Sequence, residues 1–249
     1  MRITNEVYVV GGGTNFGFGL SDDPDCHIYL IDTGDGLAIV DAGLGEGESI
    51  SRITANILAE GLDLSDLKWL LLTHYHMDHV GGAAKLRDRF NLEVWAPADA
   101  AEVIRTGDEG PPSLTIAKSS GLYPMDFTFE PCAVDVELRD GDRLRLGNLE
   151  LEVIDTPGHC HAHQSFLLHG RSRRYLFAGD AIFSGGRVVW QNIWDNNVQD
   201  TVASINKLAT FDFDALCPGH AAVVVDGGKR HVEIAQRKVE SLGLPASLV

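Results

Sequence analysis

THYHMDHVGG, residues 73–82, places His74, His76, Asp78 and His79 within six positions and then runs into Gly81 and Gly82. It follows LKWLLL (67–72), whose continuous apolar character reads as a buried strand. In an extended segment alternate side chains share a face, so His74 and His76 project to one side while Tyr75 and Met77 point to the other. Two imidazoles on one face can grip one metal ion. Asp78 and His79, where the strand passes into a helix, aim differently and suit a second ion nearby. Gly81 and Gly82 permit a tight turn and close packing of the helix start.

Two ions need more ligands, and strand ends elsewhere supply them. TPGH puts His159 after a strand and a Pro-Gly turn, AGD puts Asp180 at the end of RYLFAGD, and CPGH puts His220 at the end of ALC. Each is a ligand-type residue at the tip of an apolar strand, where a rigid scaffold can hold it in a cleft. The set is five imidazoles and two carboxylates. His161 and His163 lie beside His159, but the set is complete without them, and they are read as rim or hydrogen-bonding residues.

The flanking sequence gives the scaffold. Residues 7–10, 27–31 and 37–40 read as strands, the last two forming a hairpin through DTGDG. Ile50, Ile53, Ile57 and Leu58 repeat at helical spacing, with Gly61 where a C-terminal cap belongs. AAKLRDRF and ADAAEVIRT read as helices around the strand LEVWAP. Residues 107–132, with Pro111, Pro112 and Pro124, read as a connection between halves. DRLRLGNLELEVID then gives two strands, QSFLLH and RYLFAGD two more, TVASINKLATF a helix, and KRHVEIAQRKVESLG a closing helix capped by Gly243. Strands then helix, twice over, predicts two layers of sheet with helices outside, and residues 1–249 are read as a single domain.

The chain of 249 residues has a formal net charge of −16, a field that repels nucleic acid and anionic lipid. No apolar run approaches membrane-spanning length, and MRITNEVYVVGGG lacks the pattern of a secretory leader. Cys26, Cys132, Cys160 and Cys217 are irregularly spaced with no C-x-x-C pair, which fits reduced thiols and a cytoplasmic location. The expected partner is a small molecule, with neither nucleic acid nor membrane.

H-x-H-x-D-H followed in order by a His, an Asp and a final His resembles the signature of the metallo-β-lactamase superfamily, and DAG at residues 41–43 is similar to the short motif after that family's opening hairpin. The resemblance implies an α/β fold, specifically a four-layer αββα sandwich of two mixed β-sheets with helices on the outer faces. It also implies roles: His74, His76 and His159 for a first metal, Asp78, His79 and His220 for a second, Asp180 bridging both, and Asp41 orienting a ligand histidine.

Imidazole and carboxylate ligands without thiolate suit two divalent ions, zinc foremost, with iron or manganese tolerated. Such a pair holds a bridging water and lowers its pKa, leaving Asp78 or Asp180 to accept the proton. The reaction class is hydrolysis of an ester-like bond: a carboxylic ester, thioester or lactone. A phosphodiesterase, or an iron-dependent persulfide dioxygenase-like oxidoreductase, is the alternative.

Within the resemblance, Asp180 stands where β-lactamases proper carry Cys or Ser, which directs the expectation away from antibiotic hydrolysis. His76 replaces the Glu of flavodiiron oxidoreductases, and the net charge disfavours the RNA-processing branch. The glyoxalase II and lactonase branches remain, with too short a stretch after His220 for the glutathione-binding helical domain. Phe16 and Phe18 in GGGTNFGFG, and Arg187 and Trp190 in the loop after Asp180, are the candidate substrate contacts.

Overall fold

The computed structural model describes every residue except Asn15. Six strands, β1 (Val7–Gly11), β2 (Ile28–Asp32), β3 (Leu37–Val40), β4 (Leu67–Leu71), β5 (Glu93–Pro97) and β6 (Val136–Leu138), form one sheet in that spatial order. The β1–β2 and β2–β3 pairs are antiparallel and the rest are parallel. A second sheet has the order β11, β10, β9, β8, β7, built from β7 (Arg143–Leu146), β8 (Leu149–Asp155), β9 (Gln164–His169), β10 (Arg174–Gly179) and β11 (Ala215–Pro218). Here β10 and β11 run parallel and the other pairs antiparallel. Both sheets are mixed, as expected.

Alternation along the strands assigns the layers. Tyr8 and Val10 of β1 pack with Ile53 and Ile57 of helix α1 (Ser49–Ala59), while Val7 and Val9 face the other way, into the core shared with Phe166, Tyr175 and Phe177 of the second sheet. On β10 the same rule sends Tyr175 and Phe177 between the sheets and Leu176 and Ala178 outward, against α6 (Val198–Leu208) and α7 (Lys229–Glu240). Strands buried on both faces need apolar side chains at every position, which is why they read as continuous runs instead of alternating ones. Helices α3 (Ala83–Phe90) and α4 (Ala98–Thr106) join α1 on the outer face of the first sheet, giving αββα.

Three local features depart from the sequence reading. The connection at 107–132 contains a short helix, α5 (Leu114–Ser119), and the strand β6 pairs beside β5 with only three residues. The closing helix ends earlier than the predicted glycine: Leu242, with φ 60°, takes the left-handed position, and Gly243 only donates its N–H to Lys238 O at 2.9 Å. Among the described residues, no helix is long and apolar enough to cross a membrane.

Phe177 is fully buried between the sheets, its ring 5.2 Å from that of Tyr29 in an edge contact. Phe177→Ala is expected to cost about 3–5 kcal/mol, read as a lower urea midpoint with an unchanged slope.

Candidate metal centre

Chain direction brings the candidate ligands to one edge. β3 and β4 are parallel, so Asp41 and the THYHMDH segment leave the first sheet at the same end. β8 is antiparallel to β9 and β9 to β10, so β8, β10 and β11 share a direction, and His159, Asp180 and His220 leave the second sheet together. Ligand sites at carboxyl ends of parallel strands are a general property of such sheets, because successive loops converge there.

Within the first segment the strand stops at Leu71, and Asp78 and His79 open the one-turn helix α2 (Met77–Val80). The two glycines admit the neighbouring loop: a Cβ on Gly81 would lie 2.6 Å from Leu44 O, while Gly82 N–H donates to Gly43 O at 2.9 Å. Asp41 is thereby held against the site with φ 62°. Its carboxylate accepts the Thr73 backbone N–H at 2.8 Å, the Thr73 hydroxyl, and His79 Nδ1 at 2.8 Å. Thr73 Oγ1 lies 2.9 Å from His74 Nδ1. With their Nδ1 atoms engaged, His74 and His79 are left with Nε2 buried and unpartnered.

The ligand atoms form two triads. Those of His74, His76 and His159 lie within 4.8 Å of one another, and so do those of Asp78, His79 and His220. Asp180 stands between them: Oδ1 is 3.4 Å from His79 Nε2, and Oδ2 is 3.6 Å from His159 Nε2 and 3.7 Å from His220 Nε2. Nδ1 of His76 and Nε2 of His159 approach to 2.8 Å, while Asp180 Oδ1 has no hydrogen-bond partner. Converging lone pairs, orphaned and buried, leave a strong unmet demand for a cation. The donor set of imidazoles and carboxylates fits divalent ions such as zinc. Burial pushes the neighbouring Cys26 and Cys160 thiols well up, so they stay neutral beside the cluster.

Electrostatics divide the triads. Burial, followed by the charge of nearby histidines, holds His74 and His159 below the usual range, and burial does the same to His76. Burial opposes the charge on His79 and His220 too; the adjacent Cys26, followed by Asp180, Asp78 and Asp41, outweighs it at His79, and Asp180 with Asp78 outweighs it at His220, so both are raised. Conversely, Asp78 and Asp180 are lowered against their own burial by those two imidazoles.

Residues not singled out as ligands hold the cluster in place. His163 is buried; its Nε2 accepts the Asp180 N–H at 3.0 Å and its Nδ1 meets Thr156 Oγ1 at 2.9 Å, so it supports Asp180 instead of facing the cleft. Tyr123 donates its hydroxyl to Asp78 Oδ1 at 3.0 Å, and Asp78 Oδ2 is 3.1 Å from His220 Nε2. His161 is exposed and lines a different cavity with Asp155 and Asp200. The sequence signal for His163 was its spacing from His159; Tyr123, in an aperiodic stretch, offered none.

The cleft over the metal ligands has a volume of about 350 Å³. Of the four expected substrate contacts, Phe16 lines it, and the other three lie outside its lining. Phe18 stacks on His27 with ring centroids 4.8 Å apart. Arg187 turns back to donate to Ser184 O, and Trp190 donates to Pro245 O at 3.0 Å while packing under the second sheet. Alternation explains the last: Val189 and Gln191, on either side of Trp190, are the residues that reach the cleft.

Fold and site together define a two-sheet sandwich protein with two clusters of metal-ligand-type side chains at one edge. A profile of the metallo-β-lactamase superfamily matches residues 22–220, and the chain belongs to that superfamily. It is 31% identical over 199 residues to the hydroxyacylglutathione hydrolase of Xanthomonas euvesicatoria pv. vesicatoria, covering 79% of this chain and 61% of that protein. It is 36% identical over 150 residues to hydroxyacylglutathione hydrolase GloC of Haemophilus influenzae, covering 60% and 62%. The chain therefore spans less than two thirds of either relative. The acyl-coenzyme A thioesterase MBLAC2 of Gallus gallus is 27% identical over 231 residues, covering 88% and 79%. Among solved structures, the metallo-β-lactamase BJP-1 of Bradyrhizobium japonicum superposes with a TM-score of 0.72 at 23% identity, over 97% of this chain and 91% of that one, a likeness of fold alone.

Two outcomes are expected. Asp41→Asn should weaken binding of the ion next to His79 by about 10–100-fold in a competition titration with a chelator, leaving the other ion in place. His27 is held by burial at about 4, below its ordinary 6.5, and its Nδ1 lies 3.2 Å from Pro218 O. The unfolded chain takes up that proton near pH 6.5 and the folded chain only near 4, so the stability it contributes is complete above 6.5 and drains away as the pH falls to 4. Relative to wild type, His27→Gln should remove up to about 1.4 kcal/mol per pH unit of slope in that window, measured by urea unfolding.

Proposed function

We propose that this protein is a metal-dependent hydrolase that cleaves an ester-like bond in a small molecule, the thioester foremost, with esters and lactones in the same class. The observation that carries the reading is Asp180, set between two candidate ligand triads at the floor of an open cleft, its carboxylate oxygens 3.4 Å from His79 Nε2, 3.6 Å from His159 Nε2 and 3.7 Å from His220 Nε2. The names of the relatives, hydroxyacylglutathione hydrolase and acyl-coenzyme A thioesterase, support the same bond type.

His74, His76 and His159 would hold one ion, Asp78, His79 and His220 the other, with Asp180 shared. Two divalent ions bound there, zinc by the donor set, supply an activated water and an electrophile for the scissile carbonyl. Asp180 and Asp78 would be the carboxylates to take the proton of the attacking water and pass it to the departing thiolate or alkoxide. Tyr123 holds Asp78 Oδ1 by a hydrogen bond from outside the ligand set, so the orientation of Asp78 is settled before substrate arrives. His163 and Asp41 act behind the ligands, the first on Asp180 and the second on His79. A cytoplasmic setting fits the four cysteines, all unpaired and buried.

The zinc-loaded protein should hydrolyse members of a thioester, ester and lactone panel. His74→Ala and Asp180→Ala should each reduce kcat by at least roughly a thousandfold while circular dichroism stays native. Full activity in both variants contradicts the mechanism. Oxygen uptake with a persulfide and bound iron, without ester turnover, would select the oxidoreductase instead.

A further inference from the structure

The cleft carries no lysine or arginine among the described residues that line it. Its floor is the metal-ligand set; the walls are mostly apolar, with Ile116 and Leu122 on and just beyond α5 facing Val189 and Ile193 from the loop after Asp180. Three of these wall residues stay well exposed: Phe16 at 49%, Ile116 at 52% and Leu122 at 50%. Side chains of that size are left in water where they await an apolar group. The one basic residue of α5, Lys118, is ion-paired to Glu109 at 2.8 Å. Arg187, the nearest in sequence on the opposite wall, is bonded back to its own loop.

Charge bookkeeping sharpens the point. With two divalent ions bound, Asp78, Asp180 and a hydroxide-equivalent leave about one net positive charge on the floor, which the oxyanion of the reaction itself consumes. A second anionic group inside the cleft would shed its hydration against Ile116, Leu122, Val189 and Ile193 with no cation to meet it. The whole chain, at −16, adds no compensating field.

We infer that the substrate presents an uncharged, apolar acyl chain to this cleft, and that esters or thioesters bearing a carboxylate or phosphate on the part that enters it are rejected. This rests on the hydrolase reading and narrows it. A glutathione or coenzyme A leaving group would have to keep its charges outside the walls.

The test pairs two probes of equal length. In the zinc-loaded enzyme, p-nitrophenyl octanoate should show a kcat/KM on the order of a hundredfold above the p-nitrophenyl monoester of suberic acid, whose far end carries a carboxylate. From acetate to hexanoate, kcat/KM should rise roughly fourfold per methylene. Ile116→Lys should narrow the octanoate-to-suberate gap by about tenfold. Binding is read separately by calorimetry with two amides, octanamide and suberamic acid, the neutral one binding more tightly. No ester turnover alongside an octanamide preference would retain the cleft's selectivity and remove the hydrolase reading. Turnover of both esters at equal kcat/KM, or equal binding of the two amides, overturns the inference while leaving hydrolysis intact. Failure of both assays overturns both.

Discussion

Buried imidazole nitrogens and carboxylate oxygens that point at one another without protons enough to pair them are the constraint on which the structure turns. His76 Nδ1 and His159 Nε2 lie 2.8 Å apart, and Nε2 of His74 and His79 find no hydrogen-bond partner. A packed core does not tolerate such an arrangement for its own sake, because each orphaned polar atom costs on the order of 1–3 kcal/mol. The rest of the fold can be understood as what holds these groups together against that cost. Two sheets share a core of large side chains, and the parallel strands of each release their chain ends toward the same edge. Thr73 and Asp41 then fix the direction of the first histidines, and His163 fixes Asp180 through its backbone N–H.

The two sheets are tied together at the site as well as through the core. His27 N–H donates to Gly219 O at 2.6 Å, and Tyr29 Oη donates to Pro218 O at 2.7 Å. These bonds run from the second strand of the first sheet and the residue just before it to the segment that carries His220. Gln164 N–H likewise donates to Thr73 O at 2.9 Å, linking the second sheet to the loop that carries His74. Each triad of candidate ligands therefore draws side chains from both sheets, tied by the same bonds that join the sheets. Apolar walls stand over this polar floor, and under the proposal above the floor performs the chemistry while the walls choose what reaches it.

Much of this was legible in the sequence because the ligands sit at fixed local offsets from strand tips. His74, His76, Asp78 and His79 declare themselves by spacing, and His159, Asp180 and His220 by their positions after apolar runs. The layering followed from strands then helix, twice over, and from the resemblance. What stayed hidden depends on packing between distant segments. Trp190 and Arg187 sit in the right loop but turn away, since in an extended stretch a shift of one residue reverses the face. Phe18 is claimed by His27 instead of the cleft. Tyr123 reaches Asp78 from a region with neither period nor motif, and α5 and β6 are too short to impose a pattern. The left-handed position at Leu242 escaped for a related reason: an exposed turn accepted a residue that conformational preference would have placed one step later.

The claim that two triads share one bridging carboxylate is tested most directly by counting metal ions. Equilibrium dialysis against zinc followed by elemental analysis should find two ions per chain in the wild-type protein, one in His159→Ala and one in His220→Ala. A wild-type chain that binds none, or variants that both retain two, would contradict it.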